Sequence, residues 1–327
     1  MGFLIIDRLA SIFGNANEPT QLAVEIYARD DAQDAWNIPV VCHSGNLRYD
    51  VRMNKGTLNP PRVKATVPAL ADCQSQSDSR QLSIDKVGVK GLLHPIEVRD
   101  KHHETQDTVA RISLLVDLPK DFKGTHMSRF VEVLNAHGRL VHVENLPTML
   151  HELQKKLNAQ VAHIEVEFPY FVEKEAPVTK AKGLVDYQVK FDAAAYGKDV
   201  TFTVTVTIPV TTLCPCSKAI SAYGAHNQRG YVTLALRSVK AIWIEDMISL
   251  VEESASSEIY SLLKRPDEKF VTEKAYDNPV FVEDLVRNVA LRCNRHPDIT
   301  WYKVEAENME SIHNHSAYAC IEKTLAG

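Results

Sequence analysis

Residues 199–212 alternate without a break. Phe202, Val204, Val206 and Ile208 fall on one face, and Thr201, Thr203, Thr205 and Thr207 on the other. A period of two over that length is the mark of a strand with one face in a core and one in water. Such a strand is not stable alone. It needs hydrogen-bonded neighbours and a layer over its apolar face, so this stretch commits the chain to a sheet with cover on one side.

The flanking patterns repeat an order of elements. Residues 82–99 and 107–118 read as strands and 126–137 and 145–158 as helices. The second helix carries Leu146, Leu150, Leu153 and Leu157 at helical spacing. Residues 160–172 and 184–194 return to strand. The order then recurs: strands 199–212 and 229–238, a helix over 244–263 of about 30 Å, a helix over 280–294, and strands 299–307 and 314–322. The repeat is one of elements, not of residues. It predicts an α+β fold of two units, each an antiparallel four-stranded sheet with two helices on one face. The other face is either bare or covered by a second subunit.

Punctuation sets the expected boundaries. Asn15-Ala16-Asn17-Glu18-Pro19 and Asn59-Pro60-Pro61 break up the first part, and 74–81 (QSQSDSRQ) is a polar link. We therefore expect an N-terminal extension over 1–73, partly disordered, then units over 74–197 and 198–327. Apolar residues make up 45% of the 327 and charged ones 24%, which excludes a disordered chain. Lys plus Arg number 37 against 42 Asp plus Glu, a net charge of −5, which argues against a nucleic-acid-binding role. No apolar run approaches the roughly 20 residues of a membrane helix, and Asp7 and Arg8 interrupt Phe3-Leu4-Ile5-Ile6 before it resembles a signal peptide. The six cysteines (Cys42, Cys73, Cys214, Cys216, Cys293, Cys320) are too few for a disulfide framework. A reducing cytoplasmic setting is expected, where paired cysteines signal metal or catalysis.

The sharpest chemical segment is Thr211-Thr212-Leu213-Cys214-Pro215-Cys216-Ser217-Lys218. Pro215 cannot donate to a ladder, so the alternating strand ends here with two thiols at a sheet rim. His226 follows in Gly224-Ala225-His226-Asn227, and a hairpin between the flanking strands returns it to the cysteines. A thiolate with an imidazole suits zinc or a similar metal. By itself Cys-x-Cys more often means two small rim side chains. Further on, His313 and His315 in Glu310-Ser311-Ile312-His313-Asn314-His315 share one face in a strand, a pairing suited to metal, proton or phosphate. The long connection 264–279 contains Glu268, which reads either as a ligand or as part of a solvated charge run. Glu283 lies off the apolar stripe of its helix, as a surface glutamate would. Lys123, Ser128 and Arg129 at the start of the first helix suit either phosphate or ordinary capping. No phosphate-binding loop, dinucleotide fingerprint, GxSxG elbow or HExxH motif occurs.

Taken together, several strings resemble the type IB GTP cyclohydrolases: QSQSDSRQLSIDKVGVKGLLHPI, KGTHMSRFVEVL, PVTTLCPCSKAISAYGAHNQRG, LLKRPDEKFVTEKAYDNPVFVED and ENMESIHNHSAYA. They run in order from about residue 74 to 322. The resemblance implies tandem tunnelling-fold units in one chain. It implies conversion of GTP and water to 7,8-dihydroneopterin triphosphate and formate, the first step toward folate. It further implies a divalent ion, zinc or manganese, and a homotetramer with sites between subunits. Carried over residue by residue, Cys214 and His226 resemble metal ligands, completed by the carboxylates Glu268 and Glu310. Cys216 resembles a second, catalytic thiol, and Glu283 the guanine anchor. His313 and His315 resemble proton-transfer or phosphate-side groups, with Lys123 and Arg129 available for phosphate.

The sequence departs from that family before about residue 65 and at Ala71-Asp72-Cys73, where a proline-aspartate-valine lead is expected. A stretch like the family's short lead begins at Met53, so a natural start at Met53 is expected. Three rivals stand beside this reading: a relative making a cyclic phosphate pterin, the nitrile-reducing branch of the fold, and a noncatalytic metal- or GTP-binding protein. No nicotinamide signature supports the second, and the assembled Cys-His-Glu set disfavours the third.

Overall fold

The computed structural model describes residues 74, 76–138 and 145–325, and the backbone of three strands within the first 47 residues. Those strands, β1 (Gln21–Ile26), β2 (Trp36–His43) and β3 (Asn46–Leu47), pair antiparallel as β1-β2-β3 inside a unit spanning Met1–Ala69. The expected boundary near residue 73 and the start at Met53 fall outside the described residues.

The second unit, Leu70–Gly327, holds the rest. Its elements are β4 (Ile84–Asp100), β5 (Glu104–Leu118), α1 (Met127–Ala136), α2 (Leu146–Leu157), β6 (Val161–Glu175), β7 (Lys182–Tyr196) and β8 (Asp199–Leu213). There follow α3 (Pro215–Ile220), β9 (Asn227–Ser238), α4 (Ile244–Glu252), β10 (Ser257–Glu258), α5 (Arg265–Asp277), α6 (Val282–Arg295), β11 (Ile299–Met309) and β12 (Ser316–Thr324). Every pairing is antiparallel, in the order β12-β11-β9-β8-β7-β6-β5-β4, with β10 added on β8.

The α+β class and the antiparallel pairing are as expected, but separate four-stranded sheets are not found. One nine-stranded sheet runs through both halves. The cause is the tight connection between β7 and β8, where Tyr196 pairs with Asp199 across Gly197 and Lys198. Gly197 takes φ +60° at the first central position, the left-handed conformation that lets a two-residue loop follow the strand twist. The ladder continues to Gln188↔Thr207, so nothing separates the halves.

Helices cover one face. Phe130, Val133 and Leu134 of α1 and Leu146, Met149, Leu150 and Leu153 of α2 are buried in the first half. Ile244, Met247, Ile248 and Val251 of α4 and Leu285, Val286, Val289 and Cys293 of α6 are buried in the second. They share a core with Val206, Ile208 and Val210 of β8, Val232, Leu234 and Leu236 of β9, and Tyr302, Val304 and Ala306 of β11. The helix-free face is polar along β8, β9 and β11. There Thr207 Oγ1 lies 3.1 Å from Thr233 Oγ1, and Arg237 donates to Thr203 Oγ1 at 3.0 Å while lying over the Trp301 ring. Exposed Leu93, Val109, Phe171, Leu184 and Tyr231 are scattered over the same face.

Two expected elements change. The helix over 244–263 stops at Glu252, and Ser254, Ser256 and Ser257 are buried beyond it. Ser256 Oγ accepts the Leu213 amide at 3.0 Å, and β10 pairs with β8. The connection 264–279 is mostly helix α5, opened by Pro266 in its first turn. No helix among the described residues is long and apolar enough to cross a membrane.

Candidate active site

β8 ends at Leu213 paired with Asn227, and the next residues of each strand close on one another. The Cys214 amide donates to the His226 carbonyl at 3.1 Å. Cys214 stays extended (φ −70°, ψ 116°) ahead of Pro215, and its Sγ accepts the Ser217 amide at 3.4 Å. Ser217 ties the rim together. Its hydroxyl donates to the Cys214 carbonyl at 3.2 Å and accepts the His226 amide at 3.2 Å. The two candidate ligands are thus fixed by backbone bonds through one serine. Cys216 is exposed just beyond. Cys293, by contrast, is sealed in the core, where burial pushes its thiol up to about 12, so it takes no part in thiolate chemistry.

The end of β11 brings the third strand to this rim. Ser311 Oγ lies 3.4 Å from His226 Nδ1, leaving Nε2 as the nitrogen available for ligation. Met309 pairs with Arg229, so Glu310 extends the same edge. The imidazoles of His313 and His315 stack with centroids 5.2 Å apart, both exposed. Glu283 is exposed in the first turn of α6, and the residues leading into that helix are tied to the rim because the Val280 amide donates to the Leu213 carbonyl at 3.1 Å.

Glu268 is exposed in the first turn of α5, whose position is fixed at both ends. Asp267 is fully buried and accepts the Val178 amide at 2.8 Å, the Thr179 amide at 2.9 Å, the Thr179 hydroxyl at 2.6 Å and the Lys264 amide at 3.0 Å. Burial alone would raise its pKa, but these bonds outweigh it and hold the carboxyl well below the usual range. Toward the other end, Lys274 pairs with Glu258, and Lys218 of α3 donates to the Tyr276 carbonyl and lies over its ring. Burial pushes the Glu258 carboxyl upward, yet the bonds from Lys274 and Tyr260 bring it down to about 2.

Within one chain these groups gather only in part. Cys214, Cys216, His226, Glu310, His313 and His315 share one end of the second-half strands. Glu268 is eight residues, about 12 Å of helix, from the Tyr276 that Lys218 touches. Among the described residues, no three His, Cys, Asp or Glu side chains stand close enough to hold an ion. Lys123 and Arg129 are not brought to the rim at all. They follow β5, whose 15 residues carry the chain about 50 Å to the opposite end of the strands. There Arg129 donates to the Lys156 carbonyl at 3.3 Å.

The model of the type I GTP cyclohydrolase FolE2 family matches residues 70–319, a span that holds every group just described. The chain belongs to that family. It is 60% identical over 259 residues to a protein of Akkermansia muciniphila named GTP cyclohydrolase FolE2, covering 78% of this chain and 98% of that one. A protein of Nitrosococcus oceani with the same name is 56% identical over 263 residues, covering 80% of this chain and 98% of the other. Among solved structures, the uricase of Arthrobacter globiformis shares 10% identity at a TM-score of 0.43, covering 74% of this chain and 93% of that one.

For a FolE2-family chain, the donor chemistry fits a borderline-soft divalent ion: one sulfur and one imidazole nitrogen at adjoining strand ends, with carboxylates just past β11 and on α5. Two polar residues of this rim had no signal in the sequence. Ser217 acts through backbone groups of Cys214 and His226, and Ser311 reaches His226 from 85 positions away.

Proposed function

We propose that the chain converts GTP and water to 7,8-dihydroneopterin triphosphate and formate, and that the Cys214–His226 rim is where it does so. The observation that carries the placement is the Cys214 amide bonded to the His226 carbonyl at 3.1 Å, in a chain of the GTP cyclohydrolase family. Cys214, His226, Glu268 and Glu310 are the residues proposed to hold zinc or manganese. Such an ion, when bound, supplies a Lewis acid that brings the pKa of its water toward neutrality.

The chain's own groups have distinct tasks. The Glu283 carboxylate accepts the ring N–H and the amino N–H of guanine, which orients carbon 8 of the base toward the rim and makes other purines poor fits. Carbon 8 is a weak electrophile until nitrogen 7 is protonated, and Cys216 is the thiol placed to deliver that proton. The stacked His313 and His315 move protons during formate release and ring closure. Ser217 and Ser311 hold Cys214 and His226 in place.

The triphosphate needs cations, and Lys123 and Arg129 lie at the other end of the strands of one chain. We therefore propose a homotetramer in which a neighbouring copy presents them. The exposure of Cys216, Glu268, Glu283, His313 and His315 supports sites built between copies. The same reading treats β4–β7 and β8–β12 as tandem tunnelling-fold units fused through the β7–β8 hairpin, and places the enzyme, with its reduced thiols, in the cytoplasm.

The test uses full-length protein stripped of metal, given GTP, and supplied with manganese or zinc separately. Formate and oxidised-pterin fluorescence should appear only with metal, and mass should identify a triphosphorylated pterin. A cyclic phosphate product would assign the rival reaction, and GTP binding without formate would remove the catalytic reading.

A further inference from the structure

The helix-covered face of the sheet changes character just below the rim. Along β8 the inward side chains run Val206, Ile208, Val210 and then Thr212. Along β9 they run Leu236, Leu234, Val232, Gly230 and then Gln228, and along β11 Tyr302, Val304, Ala306 and then Asn308. Register places Thr212 opposite Gln228 and Asn308 opposite Gly230, so the three polar residues sit side by side on adjoining strands. They are the last inward-facing residues of these strands before the rim, each two positions along the chain from Cys214, His226 or Glu310.

These side chains are sealed from solvent, with relative exposures of 0% for Thr212, 9% for Gln228 and 2% for Asn308. Thr212 Oγ1, Gln228 Oε1 and Asn308 Oδ1 all lack a hydrogen-bond partner. A lone buried acceptor costs folding energy, and three together in a sheet otherwise lined with aliphatic groups call for a reason beyond packing. A second observation points the same way. A Cβ at Gly230 would come within 2.5 Å of Asn308 Oδ1, so glycine in mid-strand, poor for a sheet, makes the room that the asparagine amide occupies.

We infer that Thr212, Gln228 and Asn308 form a polar floor beneath the metal-binding rim, and that they are positioning residues which fix the ligating side chains from below through ordered water. The inference rests on the reading that Cys214 and His226 hold a divalent ion. Two amide oxygens and one hydroxyl are left without partners, and among the described residues no cationic side chain is bonded to them. A bridging water donates one O–H to a floor oxygen and the other to the thiolate or carboxylate above, and its lone pairs accept from an imidazole N–H. The floor is then a cost to the empty protein that is recovered when the ion binds.

That relation separates the inference from a structural role. Thr212→Val keeps the side-chain shape and Asn308→Leu keeps its branching, so both remove orphan acceptors without emptying the site. In the full-length protein, the zinc dissociation constant is measured by competition with a chromogenic chelator, and Tm is measured on the metal-free form. Cys214→Ser runs in parallel. Both floor variants are expected to keep or raise the metal-free Tm while weakening zinc binding about tenfold or more, the range for outer partners of metal ligands. If zinc affinity is unchanged in both while Cys214→Ser loses it, the floor has no positioning role and the inference fails. If the metal-free Tm falls and affinity falls only with it, the role is packing and the inference also fails. If Cys214→Ser binds zinc like the wild type, the ligand reading itself fails, and the floor inference with it. Should Asn308→Leu not fold, the shape-matched Thr212→Val decides alone.

Discussion

The Asp267 carboxylate is clasped by Thr179: Oδ2 accepts the Thr179 hydroxyl at 2.6 Å and Oδ1 the Thr179 amide at 2.9 Å. This contact spans 88 residues and joins the β6–β7 loop to the first turn of α5, one position before Glu268. Asp267→Asn keeps the shape but loses the charge that draws the donors inward. The variant should show faster amide exchange over residues 176–181 and 264–270, a lowered Tm, and weaker metal binding because Glu268 is no longer held. Unchanged exchange in both segments would show that the clasp does not set the place of α5.

Glu258 contributes, with Asp267, to the pH dependence of stability. Its carboxyl is held down to about 2 by the bonds from Lys274 and Tyr260, which overcome the upward push of burial. The unfolded chain has a glutamate of about 4.3. A depressed folded-state pKa contributes stability that is complete above the unfolded value and is lost as pH falls toward the folded one. The Tm of the wild type should therefore fall as the pH drops from about 4.3 to about 2, and Glu258→Gln should flatten that fall. Parallel Tm-against-pH curves for the two proteins would remove Glu258 from the account.

Cys214 and Cys216 should separate in a way that the rim geometry dictates. Cys214 is bonded into the sheet end and faces His226, whereas Cys216 is exposed one residue past Pro215. Cys214→Ala should abolish metal binding. Cys216→Ala should retain metal and Tm but lose roughly 10²-fold or more of turnover, as expected for a missing acid–base group. Full formate release by Cys216→Ala would sink the proton-donor role. Ser217→Ala removes two hydrogen bonds that tie the rim and should cost about 1–2 kcal/mol of stability.

Much of this was legible in the sequence, for identifiable reasons. The alternation of Phe202, Val204, Val206 and Ile208 against the threonines is the pattern that β8 realises, and the Cys214–His226 approach follows from a hairpin. Helix α5 was not legible because it buries only Asp267 and Ala275, so its sequence carries charges and no apolar stripe. The overlong reading of α4 failed for the opposite reason. Ser254, Ser256 and Ser257 look like exposed helix residues, but tertiary contacts bury them, and the Leu213 amide is satisfied by Ser256. Thr212, Gln228 and Asn308 become neighbours only once the strand register is known.

Glu283 should control choice of base without touching stability, since it is exposed at the start of α6. Glu283→Gln replaces an acceptor pair with one acceptor and one donor, and the donor faces a guanine N–H. Losing about two charge-assisted bonds amounts to roughly 3 kcal/mol or more, or at least about 10²-fold in kcat/KM for GTP. The Tm should not move. A variant with wild-type kcat/KM would place guanine elsewhere.

The last prediction concerns sites shared between copies. Lys123 and Arg129 stand at one end of the strands and Cys214 and His226 at the other, separated by the length of β5. No rotation of side chains closes that distance, so if Lys123 and Arg129 hold the phosphates as proposed, they serve the rim of another copy. A protein with Lys123→Ala and Arg129→Ala should be inactive, and so should Cys214→Ala. In a mixed assembly some sites pair the intact rim of the first variant with the intact cations of the second. Unfolding and refolding the two together should therefore restore turnover that neither shows alone, with a KM for GTP near the wild-type value. Separate refolding followed by mixing should restore less, because subunits must exchange first. Inactive co-refolded mixtures, shown by mass to contain both chains, would mean that the phosphate is held by other residues.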